Sequence, residues 1–231
     1  IRASSVPTAF GENLVLRLLR PDIEGLSFHS LGVPSELQQA LHRILHRSDR
    51  LFIVTGPTGS GKTTTLYAAL ASIRTGTTTI VTVEDPIEFR VEGATQIQVD
   101  TKIGVTFASG LRSILRQDPD IILVGGIRDL EAAEIAFQAA QTGHLVLSTL
   151  HTNDAPSAVI RLLDLGLDPT IIAASLGGIL AQRLVRRVCP SCARELTKDE
   201  REQAELLELK TSAMRSGAGC GACGHSGFKG R

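Results

Sequence analysis

The sequence predicts an α/β fold with a mainly parallel sheet covered on both faces, and three observations carry that expectation. Short apolar runs at 51–54, 77–83, 121–124 and 145–150 alternate with longer segments of helical pattern. That order builds crossover connections and encloses a sheet between helix layers. The runs are apolar or β-branched almost throughout, as expected of strands buried on both faces. Polar residues with chemical potential follow directly on several of them, and in such sheets ligands bind at the carboxyl ends of strands.

The chain is organised around residues 51–65. A short strand, 51–54, runs into Gly56-Pro57-Thr58-Gly59-Ser60-Gly61-Lys62-Thr63, and Thr64 continues as a helix. This satisfies G-x-x-x-x-G-K-[ST] in its proper context, strand before and helix after. Gly56, Gly59 and Gly61 let the backbone curl so that N–H groups turn inward toward phosphate oxygens. The helix start adds its positive end. Lys62 can reach the β- and γ-phosphates and the Thr63 hydroxyl can ligate Mg²⁺, with Thr58, Ser60 and Thr64 completing the candidate nucleotide site. A glycine-rich turn that binds nothing needs neither the lysine nor the hydroxyl.

A chain of 231 residues can bury one good α/β core and a small appendage. Lys+Arg and Asp+Glu both count 24, so no global charge draws in nucleic acid or an anionic membrane. One tyrosine and no tryptophan leave little surface for stacking on single strands, which argues against a nucleic-acid partner. No apolar run reaches the length of a membrane span and no leader pattern opens the chain, so a cytoplasmic location is expected. The start at Ile1, within strand-like sequence, predicts a piece of a longer protein.

Taken in order, 1–20 carries two strand-like pieces around a Pro7/Gly11 turn. Pro34 and Ser35 open a helix to about His46. After the phosphate loop a helix runs to Ile73, and the strand 77–83 delivers Glu84-Asp85-Pro86-Ile87-Glu88. A short strand is expected at 96–99 and a helix at 107–116, where Arg112 and Arg116, four apart, would share a face. Asp118-Pro119-Asp120 introduces the strand 121–124. Asp129 caps a helix closed by Gly143. The strand 145–150 ends at His151-Thr152-Asn153, Asp154 caps a helix to about Leu165, and Asp168-Pro169 opens another, expected to run through to Arg187. The phosphate loop, Glu84, Asp120 and His151 are all expected at or near the carboxyl edge of the sheet.

All four cysteines lie near the end, as Cys189-Pro-Ser-Cys192 and Cys220-Gly-Ala-Cys223. Two C-x₂-C knuckles in a chain of this kind predict a tetrahedral thiolate Zn²⁺ site. The segment between them is longer than compact sites use, so an acidic helix at 198–209 must loop out. Disulfides are disfavoured by the expected compartment. A redox pair is disfavoured because neither knuckle opens a helix beside a strand.

Five segments, GPTGSGKTTTLYAAL, TVEDPIEF, GLRSILRQDPD, GHLVLSTLHTN and the cysteine pairs, resemble in order and spacing the secretion ATPases of bacterial type II secretion and type IV pilus assembly. Pilus retraction ATPases generally lack the cysteine pairs, so the resemblance favours the secretion or pilus-assembly branch. It implies a RecA-like P-loop NTPase core at 21–187 that hydrolyses ATP with Mg²⁺ as a ring of six. It also implies a zinc module at 188–231 and, at 1–20, the last strands of a preceding PAS-like domain. The implied setting is cytoplasmic and peripheral to the inner membrane, with a membrane platform and cytoplasmic docking proteins as partners.

By the same resemblance Glu84 matches the glutamate that polarises the attacking water, a task a carboxylate suits. Asp120 matches an acid before the second motif's strand, a candidate Mg²⁺ ligand. Arg112 and Arg116 match arginines that reach phosphate, Arg2 an arginine of the preceding domain, and His151 a histidine near the γ-phosphate. Two positions depart from the pattern: Asn13 stands where the family has arginine, and Gly126 in Ile-Ile-Leu-Val-Gly-Gly-Ile-Arg-Asp stands where it has glutamate. The second departure leaves open a nucleotide-binding structural subunit with weak hydrolysis.

Overall fold

The computed structural model describes residues 2–17 and 25–231, and the chain forms two compact units, Ile1–Gln182 and Arg183–Arg231. The division falls a few residues before the boundary expected at 188. Of the strand pair expected at 1–20, residues 1 and 18–20 lie outside the described residues.

In the first unit, β1 (Arg2–Thr8) and β2 (Gly11–Arg17) form an antiparallel hairpin, with the turn at Ala9 and Phe10. Its apolar side chains Val6, Phe10, Leu14, Val15 and Leu16 are exposed. The main sheet contains β3 (Leu51–Thr55), β4 (Ile80–Glu84), β5 (Ala94–Gln98), β6 (Ile121–Val124), β7 (Leu145–Leu150) and β8 (Leu176–Ala181). Their order is β5-β4-β6-β7-β3-β8, with every neighbouring pair parallel. This is the expected α/β class.

Side chains alternate across each strand, so adjacent residues enter opposite helix layers. Phe52 and Val54 of β3 pack with Leu41 and Leu45 of α1 (Ser35–Leu45) and with Leu66 and Leu70 of α2 (Lys62–Ile73). Ile53 and Leu51 join the other layer, formed by α3 (Phe107–Ile114), α4 (Leu130–Gln141), α5 (Ala155–Asp164) and α6 (Pro169–Ser175). The expected caps are in place. Asp129, Asp154 and Asp168 accept from the backbone N–H of Ala132 (2.8 Å), Ser157 (2.7 Å) and Thr170 (2.7 Å), satisfying donors that a helix start leaves unpaired.

The helix expected to run from Asp168 to Arg187 is corrected: α6 stops at Ser175 and residues 176–181 form β8. Gly177 and Gly178 are poor helix residues, and the exposed edge of β3 offers a ladder instead. Both glycines also admit close packing. A Cβ at Gly177 would meet Arg50 Cβ at 2.7 Å, and one at Gly178 would meet Ile44 Cδ1 at 3.0 Å. The helix expected at 107–116 ends at Ile114, which puts Arg116 beyond the C-cap Leu115 and removes the shared face with Arg112.

The second unit holds a small antiparallel ladder of β9 (Ala193–Glu195) and β10 (Arg215–Gly217) and the helix α7 (Lys198–Leu206). Thr197 and Glu200 form a capping box at the start of α7. Arg194 grips Glu200 with two hydrogen bonds, of 2.8 and 3.0 Å, and holds that carboxyl down to about 2. No helix among the described residues is long and apolar enough to cross a membrane.

Candidate functional site

The phosphate loop leaves the carboxyl end of β3 and enters α2 at Lys62. Gly56 has φ 152°, and a Cβ there would lie 2.4 Å from the Gln182 carbonyl oxygen and 2.6 Å from Ser60 Oγ; only glycine fits. Gly61, at the N-cap of α2, is left-handed at φ 86°. Lys62 is buried, and its ammonium donates to the loop carbonyls of Gly56 (2.8 Å) and Pro57 (3.1 Å). Burial lowers its pKa. Ser60 Oγ is buried without a hydrogen-bond partner among the described residues. Thr63 and Thr64 are half-buried in the first turn of α2; Thr58 and Gly59 are exposed. A buried ammonium, an unpartnered hydroxyl and a helix start thus converge on one loop, which is the chemistry an anionic phosphate chain requires.

His151 stands at the end of β7, the strand beside β3, with Nδ1 3.4 Å from the Lys62 ammonium. Partial burial, then the charges of Lys62 and Arg128, push its pKa below the ordinary histidine value. Its segment is pinned to β3: Thr152 N–H donates to Thr55 Oγ1 at 2.9 Å, and the two hydroxyls lie 2.8 Å apart.

Glu84 ends β4 and is 2% exposed. It accepts from the Tyr67 phenol (2.5 Å), the Thr82 hydroxyl (2.6 Å) and the Gln96 amide (3.2 Å). Two strands separate β4 from β3, which places the strand ends about 14 Å apart at ordinary spacing. Helix α2 carries both Lys62 and Tyr67, about 7.5 Å apart along its axis, and so bears on both the loop and Glu84. Beside Glu84, Gly125 N–H donates to Val83 O at 2.8 Å. Asp85 pairs with Arg128 at 3.0 Å.

Asp120 is a correction. It precedes β6 and therefore lies at the amino edge of a parallel sheet, the length of a strand away from the phosphate loop. There its carboxylate accepts from Thr79 N–H at 2.7 Å. It ties two strand starts together and is not placed to ligate Mg²⁺. Arg112 pairs with Glu131 of α4, and Arg116 is exposed. The side chain of Arg2 lies outside the described residues.

Gln182 escaped the sequence reading. Its backbone N–H extends the β8 ladder to Thr55 O (2.9 Å), its side-chain amide donates to Ser60 O (2.6 Å), and its side-chain oxygen accepts from Thr65 Oγ1 (2.8 Å). The Gly177-Gly178 pair was the available signal, because a strand there would end beside the loop.

In the second unit the sulfurs of Cys189, Cys192, Cys220 and Cys223 all lie within 4.8 Å of one another. The pairs Cys189–Cys220, Cys192–Cys223 and Cys220–Cys223 are 4.0, 3.9 and 3.8 Å apart. A tetrahedron with Zn–S bonds of about 2.3 Å has edges of about 3.8 Å, so the donor set fits zinc, whereas a disulfide needs about 2.05 Å. Cys220 N–H donates to Cys223 Sγ at 3.2 Å.

A parallel sheet with a glycine-lysine loop between β3 and α2 defines a phosphate-loop α/β core. The profile of the Type II/IV secretion system protein family matches residues 1–231, and the chain belongs to that family. It is 49% identical over 234 residues to the type II secretion system ATPase E of Vibrio cholerae and 50% identical over 234 residues to the type II secretion system protein E of Pseudomonas aeruginosa. Each match covers 100% of this chain and 46% of the relative; the chain spans about half the length of these relatives. Among solved structures, the pilus retraction motor PilT with bound ADP aligns with TM-score 0.70 and 36% identity, over 81% of this chain and 56% of that one.

Proposed function

We propose that this chain is the ATP-hydrolysing core of a motor that powers type II protein secretion or pilin assembly. The observation that carries this reading is the phosphate loop, with buried Lys62 at the start of α2 and His151 3.4 Å away, in a chain of the Type II/IV secretion family. The named activity of the V. cholerae relative and the ADP bound to PilT support it. The proposed arrangement is a RecA-like core acting as a homo-hexamer beneath an inner-membrane platform, peripheral to the membrane.

In this reading the N–H groups from Gly56 to Thr64 and the Lys62 ammonium bind the phosphates, exchanging the loop carbonyls that Lys62 now holds. Mg²⁺, when bound, would offset charge on the β- and γ-phosphates, with Thr63 as its protein ligand. Glu84 accepts the proton of the attacking water, oriented by its three donors. His151 contacts the terminal phosphate. Arg112 and Arg116 serve phosphate within the subunit or across the ring, Arg112 after leaving Glu131. The four cysteines hold a structural Zn²⁺ that clips the second unit and takes no part in the reaction.

The test is nucleotide binding by Lys62→Ala, followed with a fluorescent ATP analogue, alongside thermal melting. Loss of binding with little change in melting temperature is expected, because Lys62 hydrogen-bonds the loop carbonyls and belongs to neither apolar cluster. Unchanged affinity would place the nucleotide elsewhere and end this reading.

A further inference from the structure

We infer that Gln182 is a positioning residue for the phosphate loop, setting the shape in which the loop receives nucleotide; the inference rests on the nucleotide reading above. An anion-binding loop has to keep its N–H groups turned inward, so its carbonyls must be satisfied on the outside. Gln182 meets that need from a single position. Its amide N–H holds the Ser60 carbonyl at 2.6 Å, on the residue just before Gly61 and Lys62. Its amide oxygen takes the Thr65 hydroxyl at 2.8 Å, one turn into α2. The two bonds therefore straddle the loop-to-helix junction and fix the first turn against the loop that precedes it.

The main chain of the same residue acts on the loop's other end. Gln182 N–H bonds Thr55 O at 2.9 Å, and Gln182 O packs where a side chain at Gly56 would have to go. The loop's entry and exit are thus both referred to the end of β8, the edge strand of the sheet. Glutamine suits the task because it carries a donor and an acceptor at the tip of one side chain without charge. Glutamate would turn an acceptor toward the Ser60 carbonyl, and a shorter asparagine would not span the two partners. Ser60 Oγ, buried and unpartnered, sits on the residue whose carbonyl Gln182 holds.

The experiment compares wild type, Gln182→Met, Thr65→Val and the double variant, in the full chain. Affinity for a fluorescent ADP analogue is measured, with melting temperature in parallel. Methionine keeps the volume and removes both bonds. A loss of about tenfold in affinity is expected for Gln182→Met, a smaller loss for Thr65→Val, and a double variant no weaker than Gln182→Met, since the two residues share one bond. Thr65→Ser, which keeps the hydroxyl, should bind like wild type. If affinity holds in Gln182→Met, whether or not the melting temperature falls, Gln182 is at most a fold staple and the inference is overturned. Additive losses in the double variant overturn the Thr65 half. Should Gln182→Met not fold, the inference stands on Thr65→Val weakening binding while Thr65→Ser does not, and falls if both bind like wild type. Failure of wild type itself to bind the analogue sinks the nucleotide reading, a separate outcome.

Discussion

The phenol of Tyr67 donates a 2.5 Å hydrogen bond to the carboxylate of Glu84, joining the helix that follows the phosphate loop to the end of β4. Both residues are buried, and the donors to Glu84 are neutral groups on three elements: α2, β4 and β5. Thr82 lies two residues before Glu84 and pairs across the ladder with Gln96, so all three share one face of the sheet. Burial and the neighbouring carboxylate raise the Tyr67 pKa, so the phenol stays a donor over the working range of pH.

Tyr67→Phe removes one of three donors from a buried carboxylate. Hydrogen bonds to charged groups contribute about 1.5–3 kcal/mol, so a stability loss of about 2 kcal/mol is expected from the urea midpoint. If Glu84 serves the reaction, kcat should fall while nucleotide affinity changes little. An unchanged midpoint would mean that Thr82 and Gln96 suffice to satisfy the carboxylate.

The four sulfurs predict one zinc per chain. Structural zinc contributes on the order of 10 kcal/mol to the module it folds. Chelation should therefore raise amide exchange throughout residues 183–231 and leave nucleotide affinity in the first unit unchanged. Metal analysis of protein purified under reducing conditions is decisive: no zinc, or four reactive thiols in the untreated protein, excludes the site.

His151 predicts a pH dependence. Its folded pKa lies below the ordinary value near 6.5. The unfolded chain therefore takes up a proton first as pH falls. The contribution of this group to stability is complete above about 6.5 and is lost as pH drops through the depressed folded value. Bound phosphate would favour the imidazolium and raise that value. NMR titration of the ring, assigned with His151→Gln, should show a low apparent pKa that climbs on adding nucleotide. A nucleotide-free pKa at or above 6.5 contradicts this account.

The central strands were legible because each is a compact apolar run, and the helix starts because Asp129, Asp154 and Asp168 stand directly before them. β8 was not legible. Leu176-Gly177-Gly178-Ile179-Leu180-Ala181 follows a true helix start, and what makes it a strand is the free edge of β3, far off in sequence. With β8 went Gln182, whose partners Ser60 and Thr65 are equally distant. Asp120 was misplaced for another reason. Its kinship to a metal-binding motif outweighed the simpler fact that a residue before a parallel strand lies at the opposite edge from a residue after one. The lysine, threonine and histidine of the loop region were legible because motif spacing and strand ends both mark them.

Gly126 carries the last prediction. It follows β6, one strand from the His151 strand and two from the phosphate loop. A carboxylate here could hold a metal-bound water in register; glycine cannot. The two adjacent glycines differ in what they tolerate. A Cβ at Gly125 would lie 3.2 Å from Glu84 Cα and 3.2 Å from Val83 O, backbone atoms that cannot yield. At Gly126 the nearest atoms are Thr149 Oγ1 at 3.3 Å and Thr149 O at 3.9 Å, so the Thr149 hydroxyl, which donates to Gly125 O at 3.0 Å, has to shift by a few tenths of an ångström. Gly126→Glu is therefore expected to fold, and Gly125→Glu to be the less stable of the two. Losing a preorganised electrostatic group typically costs about 10²–10³ in rate, so restoring one is expected to raise kcat at least about tenfold. Affinity for ATP should stay nearly constant, because the loop around Lys62 makes most of the contacts. Gly126→Gln has the same shape without the charge and should gain little. A flat kcat in folded Gly126→Glu would show that Glu84 and the phosphate loop need no second carboxylate, and that glycine here is only a tight junction between β6 and α4.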